Sequence, residues 1–192
     1  MAKRKVSNPL ALAVLGLLAE RPMHPYEMST TLRERAKEQS IKLNYGSLYS
    51  VVESLQRHGL VDVQEIVREG RRPERTIYAI TDGGRTEFVD WLSDLLAMPV
   101  KEFTQFEAAL SLMPGLPPDE VLRLLETRRT RLETDIVGTA AVLDEMAKQQ
   151  MPYLFLIELD YVQALRKAEL AFVDRFVAQL ADGTLEGIDL WR

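Results

Sequence analysis

The sequence is notable first for what it lacks. It contains no cysteine, which excludes disulfides, thiol nucleophiles and thiolate metal sites. Its two histidines, His24 and His58, are far apart and have no carboxylate at ligand spacing, so we expect no metal and no cofactor. No stretch reaches the roughly 18 unbroken apolar residues of a membrane span, and the basic start is not followed by a cleavage pattern. These absences predict a cytoplasmic chain without membrane contact.

Catalytic motifs are also missing. The sequence has no G-x-S-x-G nucleophile elbow and no phosphate-binding P-loop. Gly83-Gly84 follows a predicted strand but lacks the spacing of a dinucleotide fingerprint. Because no pair of side chains forms an arguable general acid and base, we predict no catalytic residues and no enzyme.

The charge is distributed unevenly along the chain. The net charge is −5, but residues 1–85 carry 14 basic and 10 acidic side chains, whereas residues 86–192 carry 10 and 19. Attraction of a phosphate backbone needs only a local positive face. The first half of the chain is therefore the candidate for nucleic-acid contact, although the imbalance also fits simple solvation of a helical tail.

The stretch 44–79 combines a helix with two strands. Leu48, Val51, Val52 and Leu55 have the i, i+3, i+4, i+7 spacing of an amphipathic helix over about residues 45–58, with short polar side chains on the outer face. Two β-prone runs follow around a Gly/Pro turn that contains Arg71 and Arg72. This pattern is typical of a winged helix, whose helix enters the major groove and whose arginines contact phosphate or the minor groove.

Two further helices are predicted before this stretch, over residues 9–20 and about 25–39, in helix-turn-helix order. A fourth helix follows the hairpin and ends near the Met98-Pro99 break. We therefore predict a winged-helix DNA-binding domain over residues 1–97 and a helical domain over residues 98–192. The fold class is mainly α with a small β-hairpin wing and an antiparallel helical C-terminal domain.

The last predicted helix, about residues 153–180, is apolar around most of its circumference. Such a helix must be covered nearly all round, and three tail helices of one chain do not cover it easily. A second copy related by two-fold symmetry would do so. We therefore predict a homodimer through the C-terminal helices, with burial inside one monomer as the alternative.

Several motifs in the first half resemble the PadR family of bacterial transcriptional regulators. They are His24-Pro25-Tyr26-Glu27, Gly46-Ser47-Leu48-Tyr49, Gly59-Leu60, Gly70-Arg71-Arg72-Pro73 and residues 78–85. Pro25 replaces a usual glycine and Ser50 a frequent proline. The resemblance covers residues 9–91 well, and the tail is similar to that of the longer PadR subfamily. It implies a dimeric regulator, a repressor by default, that binds pseudo-palindromic double-stranded operator DNA.

The helix pattern and the resemblance together give the candidate site residues. The predicted DNA-binding residues are Tyr26, Asn44, Tyr45, Ser47, Tyr49, Ser50, Arg57, Arg71 and Arg72. The resemblance also implies a small aromatic or cationic effector near the domain junction, where aromatic side chains recur at Phe88, Trp91, Phe103, Phe106, Tyr153 and Tyr161. The same aromatics also fit an ordinary core. Two other functions remain open, a winged-helix module that binds protein on a scaffold tail and an enzyme with a catalytic tail.

Overall fold

The computed structural model describes residues 6–42, 44–68 and 74–191, except the side chains of Gln39 and Tyr45. The chain divides into two compact units, Met1–Lys101 and Glu102–Arg192. The predicted fold class is confirmed by helices and a hairpin at these bounds: α1 Pro9–Glu20, α2 Pro25–Glu34, α3 Tyr45–Arg57, β1 Val61–Val67, β2 Arg75–Ile80, α4 Asp82–Ala97, α5 Gln105–Leu112, α6 Pro118–Lys148 and α7 Ile157–Ala181.

The first unit is built around α1, which is the most apolar helix of the chain. Asn8 caps it by accepting the Leu10 N–H at 2.9 Å, and Pro9 occupies the first turn. Leu10, Val14 and Leu15 are fully buried because α3, α4 and β2 all pack against α1. This buried helix fixes the positions of the elements that carry the candidate site.

Helix α2 is shorter than predicted. It ends at Glu34, and Ala36 takes a left-handed conformation at φ 53° before a 3-10 turn over Lys37–Gln39. Helical periodicity predicts an inward face of Tyr26, Met28, Leu32 and Ala36. This prediction was partly wrong, because Met28 and Leu32 are buried but Tyr26 and Ala36 are exposed. No glycine or proline marks this helix end, so the sequence pattern ran on to Gln39.

Helix α3 and the hairpin follow the predicted pattern. Leu48, Val51, Val52 and Leu55 are buried, and Gly59 ends the helix with φ 69°, a conformation that favours glycine. Strand β1 pairs antiparallel with β2 from Val61↔Ile80 to Val67↔Arg75, with an irregularity between Val63 and Glu65. The hairpin is tied to the helices by a bridge between Met23 and Tyr78.

Helix α4 begins where the hairpin returns to the core. The Thr81 side chain caps it by accepting the Gly84 N–H at 3.0 Å, and it donates to the Gly59 carbonyl at 2.8 Å. Gly84 is buried against Leu60, so that a Cβ there would lie 2.0 Å from the Leu60 carbonyl oxygen. Only glycine allows α4 to start this close to the end of α3.

The second unit is an antiparallel helical hairpin of α6 and α7 with α5 packed beside it. Arg128 of α6 forms an ion pair with Glu169 of α7. Eight residues later in α6, the Ile136 carbonyl accepts a hydrogen bond from the Gln163 side chain of α7. Residue numbers rise along α6 as they fall along α7, which shows the antiparallel direction. Near the start of α6, the hairpin core contains Val121, Leu125, Leu132, Val173, Phe176, Val177 and Leu180.

The tail helices lie close to their apolar patterns and differ at their ends. The pattern of α5 predicts a start at Phe103, but the helix begins at Gln105, where Thr104 accepts the Glu107 N–H. The predicted last helix is split, because a 3-10 turn over Tyr153–Phe155 precedes α7. No helix of the described residues is long and apolar enough to cross a membrane.

Candidate nucleic-acid interface

The outer face of α3 is polar and exposed. Gly46, Ser50, Glu53 and Arg57 are exposed at spacings of four, three and four residues, which places them on one face opposite the buried stripe. Their side chains are short or flexible, so a nucleic-acid backbone can approach the helix closely. The face has the shape and chemistry of a recognition helix.

The N-terminus of α3 opens onto the same face. The Asn44 side-chain oxygen accepts the N–H groups of Gly46 and Ser47 at 2.9 and 3.5 Å and caps the helix. The Asn44 side-chain NH2 group makes no hydrogen bond within the described residues and is left as a donor. Backbone N–H groups and the helix dipole favour an anion at this position, so the geometry suits a phosphate.

The two predicted serines differ in the hydrogen bonds that they offer. The Ser50 hydroxyl donates to the Gly46 carbonyl at 3.0 Å, so its oxygen is left as an acceptor. Ser47 is exposed and makes no side-chain hydrogen bond within the described residues. Ser47 can therefore donate to phosphate, whereas Ser50 suits an amino group on a base edge.

Tyr26 and Tyr49 are linked through His24. Tyr26 is 61% exposed at the start of α2, and Tyr49 is 42% exposed on α3. The His24 ring nitrogen Nδ1 accepts the Tyr26 N–H at 3.1 Å and so caps α2. The same ring meets the Tyr49 ring edge-on, with centroids 6.5 Å apart. Tyr26 and Tyr49 therefore share one supporting residue.

The environment of this group shifts two pKa values. Partial burial lowers the pKa of His24, with Arg75 adding to the effect and Glu27 opposing it. Burial also raises the pKa of Tyr78 on β2, and the nearby Glu53 and Tyr49 add to that shift. The lowered pKa of His24 favours its neutral form, in which Nδ1 can accept the Tyr26 N–H that caps α2.

The described arginines of the first unit differ in whether they form ion pairs. Arg57 is exposed in the last turn of α3 and forms no ion pair within the described part of the chain. By contrast, Arg21 pairs with Glu27, and Arg35 makes two bonds to Glu20. Arg71 and Arg72 lie outside the described residues, as does the side chain of Tyr45. Their contact with nucleic acid stays a prediction.

The six aromatics predicted to line an effector pocket fall in both units. Phe88 and Trp91 pack into the first unit's core, where Trp91 is only 5% exposed. In the second unit, the Phe106 ring lies under the Arg128 guanidinium at 3.6 Å and meets Phe172 edge-on. The remaining three are exposed, and they are Phe103, Tyr153 and Tyr161. A pocket formed by these residues stays a prediction.

His24 and Glu53 were not in the predicted DNA-binding set, although both lie among its members. The signal for His24 was available, since a histidine directly before proline at a helix start is in the capping position. Its ring contact with Tyr49 joins residues 25 positions apart in the sequence. A contact of that kind is set by tertiary packing and not by local pattern.

Two helices, a third helix with a polar outer face and a returning hairpin define a winged helix-turn-helix domain, followed here by a helical second unit. The comparison with known families agrees with this class. Residues 14–90 match the Transcriptional regulator PadR-like family. The matched residues lie within the first unit.

Solved structures of the same fold span both units. Bacillus subtilis PadR in complex with operator DNA is 17% identical, covers 90% of this chain and 99% of its own, and has a TM-score of 0.69. Bacillus subtilis PadR in complex with p-coumaric acid is 16% identical, with 90% and 98% covered and a TM-score of 0.70. A PadR-like regulator from Bacillus cereus is 20% identical, with 93% and 99% covered and a TM-score of 0.56. No curated protein matches the sequence.

Proposed function

We propose that the protein is a DNA-binding transcriptional regulator that places α3 in the major groove of a pseudo-palindromic operator. The observation that carries the proposal is the exposed polar face of α3, which continues into the capped N-terminus beside Asn44. Tyr26 and Tyr49 flank this face and would contact the backbone. Arg71 and Arg72 would anchor the wing. Such a regulator acts in the cytoplasm and has no catalytic role.

The proposed function requires two copies, and the second unit offers a surface for pairing. Apolar side chains are exposed around the loop end of the α6–α7 hairpin. This distal hairpin surface comprises Val137, Val142, Met151, Tyr153, Leu154, Phe155, Ile157, Tyr161 and Leu165. A cluster of exposed apolar side chains of this kind marks an interaction site. The occupant proposed here is the same surface of a second copy, because a palindrome needs two-fold symmetry.

The regulator is further proposed to release operator DNA when a small molecule binds, which makes repression the default. The support is a relative of the same fold, Bacillus subtilis PadR, which was solved with operator DNA and separately with p-coumaric acid. The alternative is a winged-helix module that binds protein, with the helical unit as a scaffold.

Fluorescence anisotropy tests DNA binding directly. The full chain is titrated against duplex from the region upstream of its own gene and against random duplex, over a salt series. Tight and salt-sensitive binding to the upstream duplex, well above random duplex, is the expected result. Weak binding of equal strength to both duplexes removes this duplex as the operator, and no binding at low salt favours the protein-binding module.

Matched variants locate the interface. Arg57→Ala removes a cation from the outer face of α3, so binding should weaken several-fold and the salt slope should fall by about one. Arg175→Ala is the control, because Arg175 is an exposed arginine of α7 whose one hydrogen bond within the described residues goes to the Ala171 carbonyl. Equal losses in both variants would mean that the effect is one of net charge, and the assignment of α3 as the recognition helix would be wrong.

A further inference from the structure

A groove lies within the second unit, between α5, the 3-10 turn Met113–Gly115 and the first half of α6. Its volume is about 650 Å³, which is in the range of pockets that hold small ligands. The floor is apolar and contains Phe106, Leu110, Val121, Leu125 and Leu132. The groove lies at the end of the hairpin where the core of the second unit is formed, and none of its lining residues belongs to the distal hairpin surface.

The polar groups of the groove are concentrated along α6. Thr127, Arg131 and Asp135 recur every four residues and so follow one rim of the groove. Arg128 also lines it, but its guanidinium is already occupied by Glu169 and the Phe106 ring. Arg131 is exposed and forms no ion pair with Asp135 or with any other described residue. The groove therefore combines an apolar floor with a guanidinium whose charge is not neutralised by an ion pair.

We propose that this groove binds a small molecule with an elongated apolar body and a single anionic group. The body would lie along the leucine and valine side chains of the floor, and the anion would accept hydrogen bonds from Arg131. Guanidinium geometry matches a carboxylate in two parallel bonds. The proposal gives the effector response of the proposed function a site and a ligand class, and it rests on that function only for its regulatory consequence.

The test uses isothermal titration of the full chain with decanoate and, as the charge-reversed match, with decylammonium, both below their micellar concentrations. Decanoate should bind with one site per chain, and decylammonium should bind at least about tenfold more weakly, as expected for loss of a charged hydrogen bond. Equal binding of the two amphiphiles, or no binding of either, would overturn the proposal.

Three variants place the binding site. Arg131→Gln should weaken decanoate binding about tenfold, whereas Arg129→Gln should leave it unchanged because Arg129 does not line the groove. Ala109→Phe should abolish binding, since Ala109 is an exposed residue of α5 that lines the groove and the larger ring would fill it. Retained binding in Ala109→Phe would contradict the assignment.

Light scattering on the same variants separates a ligand site from a contact between copies. The mass of the Ala109→Phe variant should equal that of the unmodified chain. A change in mass would mean that the groove is covered by another copy, and the proposal would be wrong. Operator affinity is measured in parallel without decanoate, so failure of the DNA-binding function with intact decanoate binding would leave the groove assignment standing.

Discussion

The two units of the chain bury their apolar residues to different degrees. In the first unit, the core residues Leu10, Met28, Leu48 and Val61 are fully buried, and most others in its described cluster are nearly so. In the second unit, Val173 alone of the described cluster is fully buried, and the others are 4–9% exposed. The distal hairpin surface leaves further large apolar side chains exposed. The core of the first unit is thus more completely buried than that of the second. Exposed apolar side chains occur in both units, on α4 at Val89, Leu95 and Leu96 and on the distal hairpin surface.

This difference matches the charge of the two halves and assigns them different partners. The half with the more completely buried core is the basic half, and its exposed α3 face is polar. The other half is acidic, and its exposed surface is apolar at the loop end of the hairpin. A polar surface with local positive charge suits nucleic acid, and an apolar surface suits another protein surface. We infer that the first unit provides recognition and the second provides assembly.

Substitution of Gly84 should have the largest effect, on the stability of the closely packed first unit. A Cβ in Gly84→Ala would lie 2.0 Å from the Leu60 carbonyl oxygen and 2.8 Å from an Ile80 side-chain carbon. Because the first contact is with backbone, the core must shift, and we expect a loss of about 3 kcal/mol or more of unfolding free energy. Urea unfolding followed by circular dichroism measures it. A loss below the measurement error would mean that the first unit is not tightly packed.

Substitutions of Asn44 should have the next largest effect on stability. They can separate its capping of α3 from a contact with DNA. Asn44→Ala removes the cap of α3 and should cost about 1 kcal/mol of unfolding free energy. Asn44→Ser keeps a capping oxygen and should restore most of that stability. If the Asn44 amide also contacts DNA, the serine variant will be stable but will bind operator duplex more weakly. Full stability with full affinity in Asn44→Ser would limit Asn44 to capping.

Gly138 in α6 of the second unit differs from Gly84, because the space around it is open. A Cβ on Gly138 would have no atom of the described residues within 4 Å beyond the backbone of its own helix. Gly138→Ala should therefore raise the unfolding free energy by about 0.5–1 kcal/mol through helix propensity. The same urea titration gives the value. A destabilised Gly138→Ala variant with lower mass by light scattering would mean that this open space is occupied by a second copy.

The smallest effect is the pH dependence carried by His24. Its folded-state pKa is lowered by burial, so the unfolded chain takes up the proton first as the pH falls below the ordinary histidine pKa of about 6.5. The stability from neutral His24 is thus present above that pH and is lost as the pH falls through the folded-state pKa. Glu27, Tyr49 and Arg75 are the charged or titratable groups around it.

His24→Asn is the matched variant, because asparagine also caps a helix and does not titrate. The unmodified chain should lose more stability than this variant between pH 7.5 and pH 5.5 in thermal unfolding. Parallel pH profiles for the two proteins would assign the dependence to other groups.

Local pattern was sufficient for most of the fold. The buried stripe of α3, the left-handed Gly59 and the caps at Asn8 and Thr81 were all signalled by residue type and spacing. The early end of α2 was not, because Ala36 has no intrinsic preference for the left-handed region. Tyr26 was placed inward for a similar reason, since periodicity alone assigns a tyrosine to an apolar face.

The candidate site was less predictable than the fold. The outer face of α3 follows from helical periodicity, whereas the link from His24 to Tyr49 depends on how α2 packs against α3. The α5–α6 groove likewise joins residues 106 and 135 across three elements, and no motif marks it. A surface formed between helices or strands can be recognised only in the tertiary structure, because sequence spacing relates only residues within one helix or strand.

The most direct test of the comparison is the mass of the chain in solution, measured by light scattering at micromolar concentration for the unmodified protein and for Leu165→Asp. We expect the unmodified chain to have twice its 21.9 kDa mass. Leu165→Asp should shift it towards one copy, because it places a charge on the distal hairpin surface. The control Leu190→Asp, an exposed leucine outside that surface, should remain paired. A mass of 21.9 kDa for the unmodified chain would contradict assembly through the second unit.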